Sequence, residues 1–207
     1  MPIDFSLYLV ADAEFAAGRD LLGIVDAAVQ GGVTVVQLRA KALPFQEFLA
    51  LGLRAADRLA GTGVPLLIND RVDIALACGA DGVHLGQEDM PLATARKILG
   101  GDRIIGISAN TVAEACAAEF GGADYIGASP AFATATKETA LPVLGPEGVR
   151  SIKRAVRIPV VAIGGIGTTN AAALADSGAD GIAIISAVLG APDARRAAED
   201  LRKAFKR

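Results

Sequence analysis

The sequence predicts an α/β protein with a (β/α)8 (TIM) barrel fold, formed as a single domain over residues 1–207. Eight short apolar runs alternate with alanine-rich segments that carry apolar residues at helical spacing. A Gly-Ala-Asp turn recurs before three of the runs, which indicates one repeated helix-to-strand connection. The residues after the seventh and eighth runs are typical of the phosphate-binding loops of barrels.

The apolar runs are nearly continuous, as expected for strands that are covered on both faces. Their lengths suit the strands of a parallel sheet. We predict strands at Leu7–Ala11, Thr34–Leu38, Pro65–Ile68, Gly82–Leu85, Arg103–Ile107, Asp124–Ile126, Ile158–Ile163 and Gly181–Ile185. Helical spacing between them is clearest in Leu21–Gln30, Phe45–Ala60, Thr111–Phe120 and Thr168–Ser177.

Glycine just after a helix supplies a left-handed residue that closes the last turn. Because the same turn recurs before several strands, the sequence favours a parallel sheet. The repeated turns are Gly79-Ala80-Asp81-Gly82, Gly122-Ala123-Asp124-Tyr125 and Gly178-Ala179-Asp180-Gly181, and Gly31-Gly32-Val33 holds the equivalent place. A doubly wound sheet usually has Gly-x-Gly-x-x-Gly after its first strand. Here Ala11-Asp12-Ala13-Glu14 stands there instead, so we favour the closed barrel.

Composition excludes several classes of protein. Apolar residues make up 52% of the chain, which is enough for a buried core, and a net charge of −3 argues against a general nucleic-acid binder. No apolar stretch is long enough to span a membrane, and the first residues do not resemble a secretory signal. We expect Cys78 and Cys116 to be buried thiols in a reducing compartment, and therefore expect a cytoplasmic protein.

Charged residues follow the predicted strands, whose carboxyl ends form the active-site face of such barrels. Arg39, Lys41 and Lys137 could neutralise a polyanion, and Lys137 lies in a long connection from 127 to 145. Asp70 and Asp89 are hard oxygen ligands suited to Mg²⁺ that is held partly by substrate phosphates. Gly165 and Ser186 follow the last two strands, where a second phosphate could bind. Two anion sites indicate an enzyme that joins two phosphorylated compounds with diphosphate as the leaving group.

Seven blocks, in order along nearly the whole chain, resemble the signature blocks of the thiamine phosphate synthase family. They are VQLRAK (36–41), LINDRVD (67–73), GVHLGQED (82–89), DYIG (124–127), TATK (134–137), AIGGI (162–166) and ISA (185–187). The resemblance implies a transferase that loses diphosphate from an aminomethylpyrimidine diphosphate and captures the resulting cation with the nitrogen of a thiazole phosphate. Both partners are small molecules, neither nucleic acid nor membrane is implied, and the sequence leaves open whether the chain is a homo-oligomer.

The resemblance also assigns roles to individual residues. The pyrimidine diphosphate would be held by Gln37, Leu38, Arg39, Ala40, Lys41, Asn69, Ser108 and Lys137, of which Arg39, Ser108 and Lys137 are the expected catalytic residues. Mg²⁺ would be held by Asp70 and Asp89. The thiazole phosphate would be held by Thr134, Ala135, Thr136, Gly165, Ile185 and Ser186.

Other readings of these residues remain open. Asp70 could simply cap a helix over Arg71–Cys78, and His84 is expected to be a hydrogen-bonded structural residue. A related thiazole tautomerase would need the phosphate loops without the carboxylate pair, and would need a histidine where this chain has Asn110. A noncatalytic phosphate-binding barrel would be favoured by a missing cation cluster or a missing carboxylate pair, and the sequence has both features. The chain departs from the family pattern at Asn110 and at Ser129-Pro130, where Gly-Pro is usual.

Overall fold

A computed structural model describes residues 3–134 and 141–205 of the chain. Its described residues form a closed barrel of eight parallel strands that lie in chain order, with β8 paired to β1. The strands are β1 Leu7–Asp12, β2 Val35–Arg39, β3 Leu66–Asn69, β4 Gly82–Leu85, β5 Ile104–Ala109, β6 Tyr125–Ala128, β7 Val160–Ile163 and β8 Gly181–Ile184. The predicted fold class is confirmed, and every predicted strand agrees with the observed one to within two residues at each end.

Helices surround the barrel. They are α1 Leu21–Gln30, α2 Phe45–Leu59, α3 Val72–Ala77, α4 Leu92–Leu99, α5 Val112–Phe120, α6 Gly145–Ala155, α7 Ala171–Asp176, α8 Ser186–Leu189 and α9 Ala194–Phe205. Local signals set where some of them begin. The Asp20 carboxylate accepts a hydrogen bond from the Gly23 amide at the start of α1, and Thr111 with Glu114 forms a capping box at the start of α5. Among the helices of residues 3–134 and 141–205, none is long and apolar enough to cross a membrane.

The side chains of the strands divide into two separate cores, because successive residues point to opposite faces of a strand. One face, represented by Leu7, Leu9 and Leu38, packs against the helices in the larger apolar cluster. The other face fills the barrel interior with the smaller cluster, formed by Phe5, Tyr8, Val10, Val35, Leu67, Tyr125, Val161 and Ala183. Polar residues of the inward face therefore lie directly above this interior cluster, at the carboxyl ends of the strands.

The three Gly-Ala-Asp turns have the same geometry. Their glycines at 79, 122 and 178 have φ of 70°, 88° and 87°, as predicted for residues that close a helix. The aspartate of each turn also accepts a hydrogen bond from a backbone amide near the start of the preceding strand. These bonds join Leu66 N to Asp81 Oδ2 (2.8 Å), Ile105 N to Asp124 Oδ2 (2.7 Å) and Val160 N to Asp180 Oδ2 (2.7 Å).

The two cysteines differ in their surroundings. Cys78 is buried, directly after α3, but Cys116 is exposed on α5, so the expectation of two buried thiols is wrong for Cys116. The error arose because the alanine-rich segment around Cys116 does not reveal which of its faces is turned to solvent.

Candidate active site

A pocket opens at the carboxyl ends of the strands, and it gathers most of the predicted substrate-binding residues whose positions the structure describes. Eight of them line it: Gln37, Arg39, Asn69, Ser108, Thr134, Gly165, Ile185 and Ser186. They come from the ends of three strands, β2, β3 and β5, and from the connections that follow β6, β7 and β8. Ala135, Thr136 and Lys137 lie outside the described residues, so their predicted roles stay predictions.

Leu38 and Ala40 do not line this pocket. Their side chains are 0% and 5% exposed and belong to the core between the barrel and the helices. The alternation of side chains along β2 explains this placement, because Gln37 and Arg39 face inward and the residues between and after them face outward. Only the backbone of Leu38 and Ala40 could therefore contact a ligand in this pocket, and their roles as substrate-binding residues stay predictions.

Arg39 is held by two carboxylates that sequence reasoning did not assign to the site. Its guanidinium forms a salt bridge with Asp12, which is 2% exposed, and its Nη1 lies 3.7 Å from Glu14 Oε2. Asp12 Oδ1 also accepts from the Phe15 amide at 2.9 Å, and Glu14 Oε1 accepts from the Ala42 amide at 2.9 Å. The predicted set of three cations and two carboxylates therefore omitted two carboxylates. Their role is to fix the direction of the Arg39 guanidinium.

The pairing of Asp12 with Arg39 follows from the barrel register, in which these two residues stand side by side on β1 and β2. In the sequence analysis, the end of the first strand served only to exclude a doubly wound sheet, because it lacks Gly-x-Gly-x-x-Gly. Asp12 is the last residue of that strand. It could have been predicted as a site residue if β1 had been included among the strands whose ends form the mouth.

Asp70 and Asp89 lie together beside Lys41, as expected for a pair of ligands. Burial and then the neighbouring Asp89 carboxyl raise the pKa of Asp70, whereas Lys41 acts in the opposite direction. Lys41 Nζ is 3.2 Å from Asp70 Oδ2, and Asp89 Oδ2 accepts from the Gly86 amide at 2.7 Å. A bound cation would remove the conflict between the two carboxylates, so the donor set fits a hard divalent ion.

The alternative role of Asp70 as a helix cap is wrong. The residue before α3 is Arg71, which makes no side-chain capping bond, and Asp70 has a left-handed φ of 63°. A non-glycine residue in this region is uncommon and carries strain. The strained turn directs Asp70 towards Lys41 and Asp89.

Within the described part of the chain, no group of three or more His, Cys, Asp or Glu residues could enclose a metal ion. A pair of carboxylates alone suits Mg²⁺, which usually keeps water and substrate phosphate among its ligands. The geometry therefore fits an ion that binds together with an anionic substrate.

The floor of the pocket is polar. Tyr8, Tyr125 and His84 join Gln37 and Ser108 in hydrogen bonds of 2.7–2.9 Å. His84 is hydrogen bonded as predicted, but it also lines the pocket. Sequence reasoning missed both tyrosines, since each lies in an apolar run that does not show which residues face inward.

The connections after β7 and β8 form the other wall. Gly164 and Gly165 have φ of 110° and 63°, and α8 begins at Ser186. An added Cβ at Gly165 would lie 2.3 Å from the Ala133 carbonyl oxygen, so the chain passes there too closely for any side chain. Asn170 Nδ2 donates to the Gly165 carbonyl at 2.9 Å and holds this turn in place.

Asn110 anchors the long connection after β6. Its side chain is largely buried, and its Nδ2 donates to the carbonyl oxygens of Ser129 at 2.9 Å and Pro142 at 3.0 Å. These carbonyls lie near the two ends of the connection. The departure from the family pattern at this position therefore replaces a histidine with a residue that ties the two ends of the connection together.

A closed (β/α)8 barrel with cations, paired carboxylates and a glycine-rich loop around one mouth defines the class of this protein as a barrel enzyme suited to anionic ligands. Its sequence matches the family model described as thiamine monophosphate synthase over residues 7–188. The chain belongs to this family, and the resemblance seen in the sequence is confirmed.

Individual relatives agree with the family match. The chain is 50% identical to the thiamine-phosphate synthase of Syntrophomonas wolfei over 204 residues, which covers 99% of this chain and 98% of that protein. It is 51% identical to the thiamine-phosphate synthase of Albidiferax ferrireducens over 197 residues, covering 95% and 90%. The solved thiamine phosphate pyrophosphorylase from Pyrococcus furiosus superposes with a TM-score of 0.91 at 41% identity, covering 99% of this chain and 97% of that one.

Proposed function

We propose that this enzyme condenses 4-amino-2-methyl-5-(diphosphooxymethyl)pyrimidine with a thiazole phosphate to give thiamine phosphate and diphosphate. The thiazole is carboxythiazole phosphate or hydroxyethylthiazole phosphate, and atom balance requires the first of these to lose its carboxyl group as CO2. The observation that carries the proposal is that Arg39, Lys41, the Asp70–Asp89 pair and Gly165 all follow strand ends at the same mouth of the barrel, in a member of this family.

The reaction needs little proton transfer. The bond between the methylene carbon and the diphosphate oxygen breaks, and its electron pair leaves with diphosphate. The lone pair of the thiazole nitrogen then forms the new carbon–nitrogen bond with the pyrimidine methyl cation. The enzyme must therefore stabilise the departing anion and hold the nucleophile in line.

The diphosphate side of the mouth is suited to the first task. Arg39, aligned by Asp12 and Glu14, presents a fixed guanidinium, and Lys41 adds a second cation. We propose Lys137 as a third cation and Asn69 and Ser108 as hydrogen-bonding groups. Asp70 and Asp89 would hold Mg²⁺, which when bound would neutralise charge on the diphosphate oxygens.

The other wall is suited to the second task. Gly165 has no side chain, so its backbone can approach a phosphate closely, and Ile185 and Ser186 stand beside it in the pocket. We propose that these residues hold the thiazole phosphate together with Thr134, Ala135 and Thr136. We also expect the enzyme in the cytoplasm, where an exposed thiol such as Cys116 stays reduced.

The test is to mix the purified protein with both substrates and Mg²⁺ and to measure thiamine phosphate and diphosphate by chromatography. Equal amounts of the two products are expected, and none when either substrate is omitted. Conversion of the thiazole alone into an isomer would support a tautomerase instead. Binding without any conversion would support a noncatalytic barrel.

A further inference from the structure

Five side chains from five strands form one continuous chain of hydrogen bonds across the floor of the pocket. Gln37 Nε2 donates to Tyr8 Oη at 2.7 Å, and Tyr8 Oη is 2.8 Å from Tyr125 Oη. Tyr125 Oη is 2.8 Å from His84 Nδ1, and His84 Nε2 is 2.9 Å from Ser108 Oγ. Both ends of the chain, Gln37 and Ser108, line the pocket. We call these five residues the relay.

Two glycines make room for the relay inside the barrel. A Cβ at Gly106 on β5 would lie 2.0 Å from the Tyr125 ring, and a Cβ at Gly127 on β6 would lie 2.8 Å from His84 Cε1. Real Cβ atoms do not approach other atoms so closely. The strands are therefore built to hold Tyr125 and His84 where they stand, between the two pocket-lining ends.

We take the order of donors along the relay from its amide end, where Gln37 donates to Tyr8. An amide NH2 group can only donate, so Tyr8 accepts from Gln37, and the Tyr8 proton has a partner within the relay when it is donated to Tyr125. In this order Tyr125 donates to His84 Nδ1, which carries no proton. The same order places the imidazole proton on Nε2, from which it is donated to Ser108 Oγ.

Burial raises the pKa of Tyr8 and of Tyr125 above the ordinary value for a phenol. Both hydroxyl groups keep their protons and can donate them. The Ser108 hydroxyl already accepts from His84, so its own proton remains available to the pocket. The Gln37 amide oxygen, at the other end, remains available as an acceptor.

We propose that the relay sets the hydrogen-bonding polarity of the pocket, with an acceptor at Gln37 and a donor at Ser108, and so selects an amino-substituted ring over its oxo counterpart. Tyr8, Tyr125 and His84 are positioning residues in this role. The identity of the ligand rests on the proposed function: the aminopyrimidine edge carries an amino donor and a ring-nitrogen acceptor. A 4-oxo ring presents a carbonyl acceptor and an N–H donor, which reverses this pattern.

The proton positions can be measured without any substrate. His84 is the only histidine of the chain, so protein labelled with ¹⁵N-histidine gives imidazole signals from one residue. We expect ¹H–¹⁵N correlation spectra at neutral pH to show a proton on Nε2 and none on Nδ1. A proton on Nδ1, or on both nitrogens, would overturn the proposal. Because this experiment involves no turnover, its failure is distinct from a failure of the proposed reaction.

Selectivity is tested with the Tyr125→Phe variant, which keeps the ring and removes the central hydroxyl. The probes are 4-amino-2-methyl-5-(hydroxymethyl)pyrimidine phosphate and its 4-oxo counterpart, titrated calorimetrically. The amino compound should bind about 3- to 10-fold more weakly, the scale of one neutral hydrogen bond, and the oxo compound should not. The control Ser129→Ala removes a pocket hydroxyl outside the relay and should leave the ratio of the two affinities unchanged. An unchanged ratio in Tyr125→Phe would contradict the proposal.

A double-mutant cycle tests transmission along the relay. Tyr8 does not bond directly to Ser108, so independent roles would give additive losses for Tyr8→Phe and Ser108→Ala. The relay predicts that Tyr8→Phe weakens binding of the amino compound about 3-fold less in the Ser108→Ala background than in the wild-type protein. Additive losses would show that Tyr8 acts only locally, and the relay would have to be abandoned.

Discussion

Lys41 should compete with the metal ion for Asp70, and the Lys41→Gln variant should reveal this by changing two affinities in opposite directions. Lys41 Nζ lies 3.2 Å from Asp70 Oδ2, the atom that we propose as a ligand of Mg²⁺. Without the ammonium group, the Asp70–Asp89 pair attracts a cation more strongly. Mg²⁺ alone should therefore bind more tightly, while inorganic diphosphate should bind more weakly.

The size of each effect follows from the exposure of the pair. Two unit charges about 4 Å apart interact by about 1 kcal/mol in water and about 4 kcal/mol at an effective dielectric constant near 20. The Lys41 side chain is 52% exposed, which places the pair nearer the first limit. A gain of about 1 kcal/mol makes Mg²⁺ binding about 5-fold tighter. Loss of one charged hydrogen bond should weaken diphosphate binding by about 1.5–3 kcal/mol, or about 10- to 150-fold.

Calorimetric titration measures both affinities, with Mg²⁺ and inorganic diphosphate each added to the protein alone. The control is Lys203→Gln on α9, which removes the same charge from a lysine paired with Asp200 outside the mouth and should change neither affinity. An Mg²⁺ affinity that is equal or weaker in Lys41→Gln would refute the assignment of Asp70 as a metal ligand.

Three further predictions concern the walls of the mouth. Lys137→Ala should lower kcat by more than about 10²-fold, the scale for one preorganised charge, and a nearly wild-type kcat in steady-state assays would remove Lys137 from the mechanism. Gly165→Val should raise KM for the thiazole phosphate far more than KM for the pyrimidine, because no Cβ fits beside Ala133; the reverse pattern would mean that the two subsites are interchanged. Asn110→Ala should lower the free energy of unfolding by about 1–3 kcal/mol by removing two buried hydrogen bonds, and an unchanged denaturation midpoint would show that these bonds contribute nothing.

The barrel and the general position of the site could be predicted from the sequence because both depend on chain order. Parallel strands of a barrel end on one face, so Arg39, Asn69 and Ser108 had to converge once their runs were identified as strands. Side-chain direction was less secure, since a signature block does not distinguish inward from outward residues. Leu38 and Ala40 were assigned with their neighbours, although the alternation along β2 turns them into the outer core.

The floor of the pocket could not be predicted in the same way, because its contacts cross the barrel interior. Adjacent strands are fixed by chain order, and this register explains the pairing of Asp12 with Arg39. Tyr8 and Tyr125, however, lie on β1 and β6, which are not neighbours, and 117 residues separate them. Their contact depends on how much space the other inward side chains leave.

Glycine supplies that space at two inward positions that look unremarkable in the sequence. Gly106 stands beside Tyr125 in the pairing of β5 with β6, and a Cβ there would occupy the position of the tyrosine ring. Gly127, two residues after Tyr125, admits the His84 ring in the same manner. Small residues on β5 and β6 thus make room for the large polar residues that enter the barrel from β6 and β4. The polar floor is therefore a property of the packed interior as a whole, and no single motif could have revealed it.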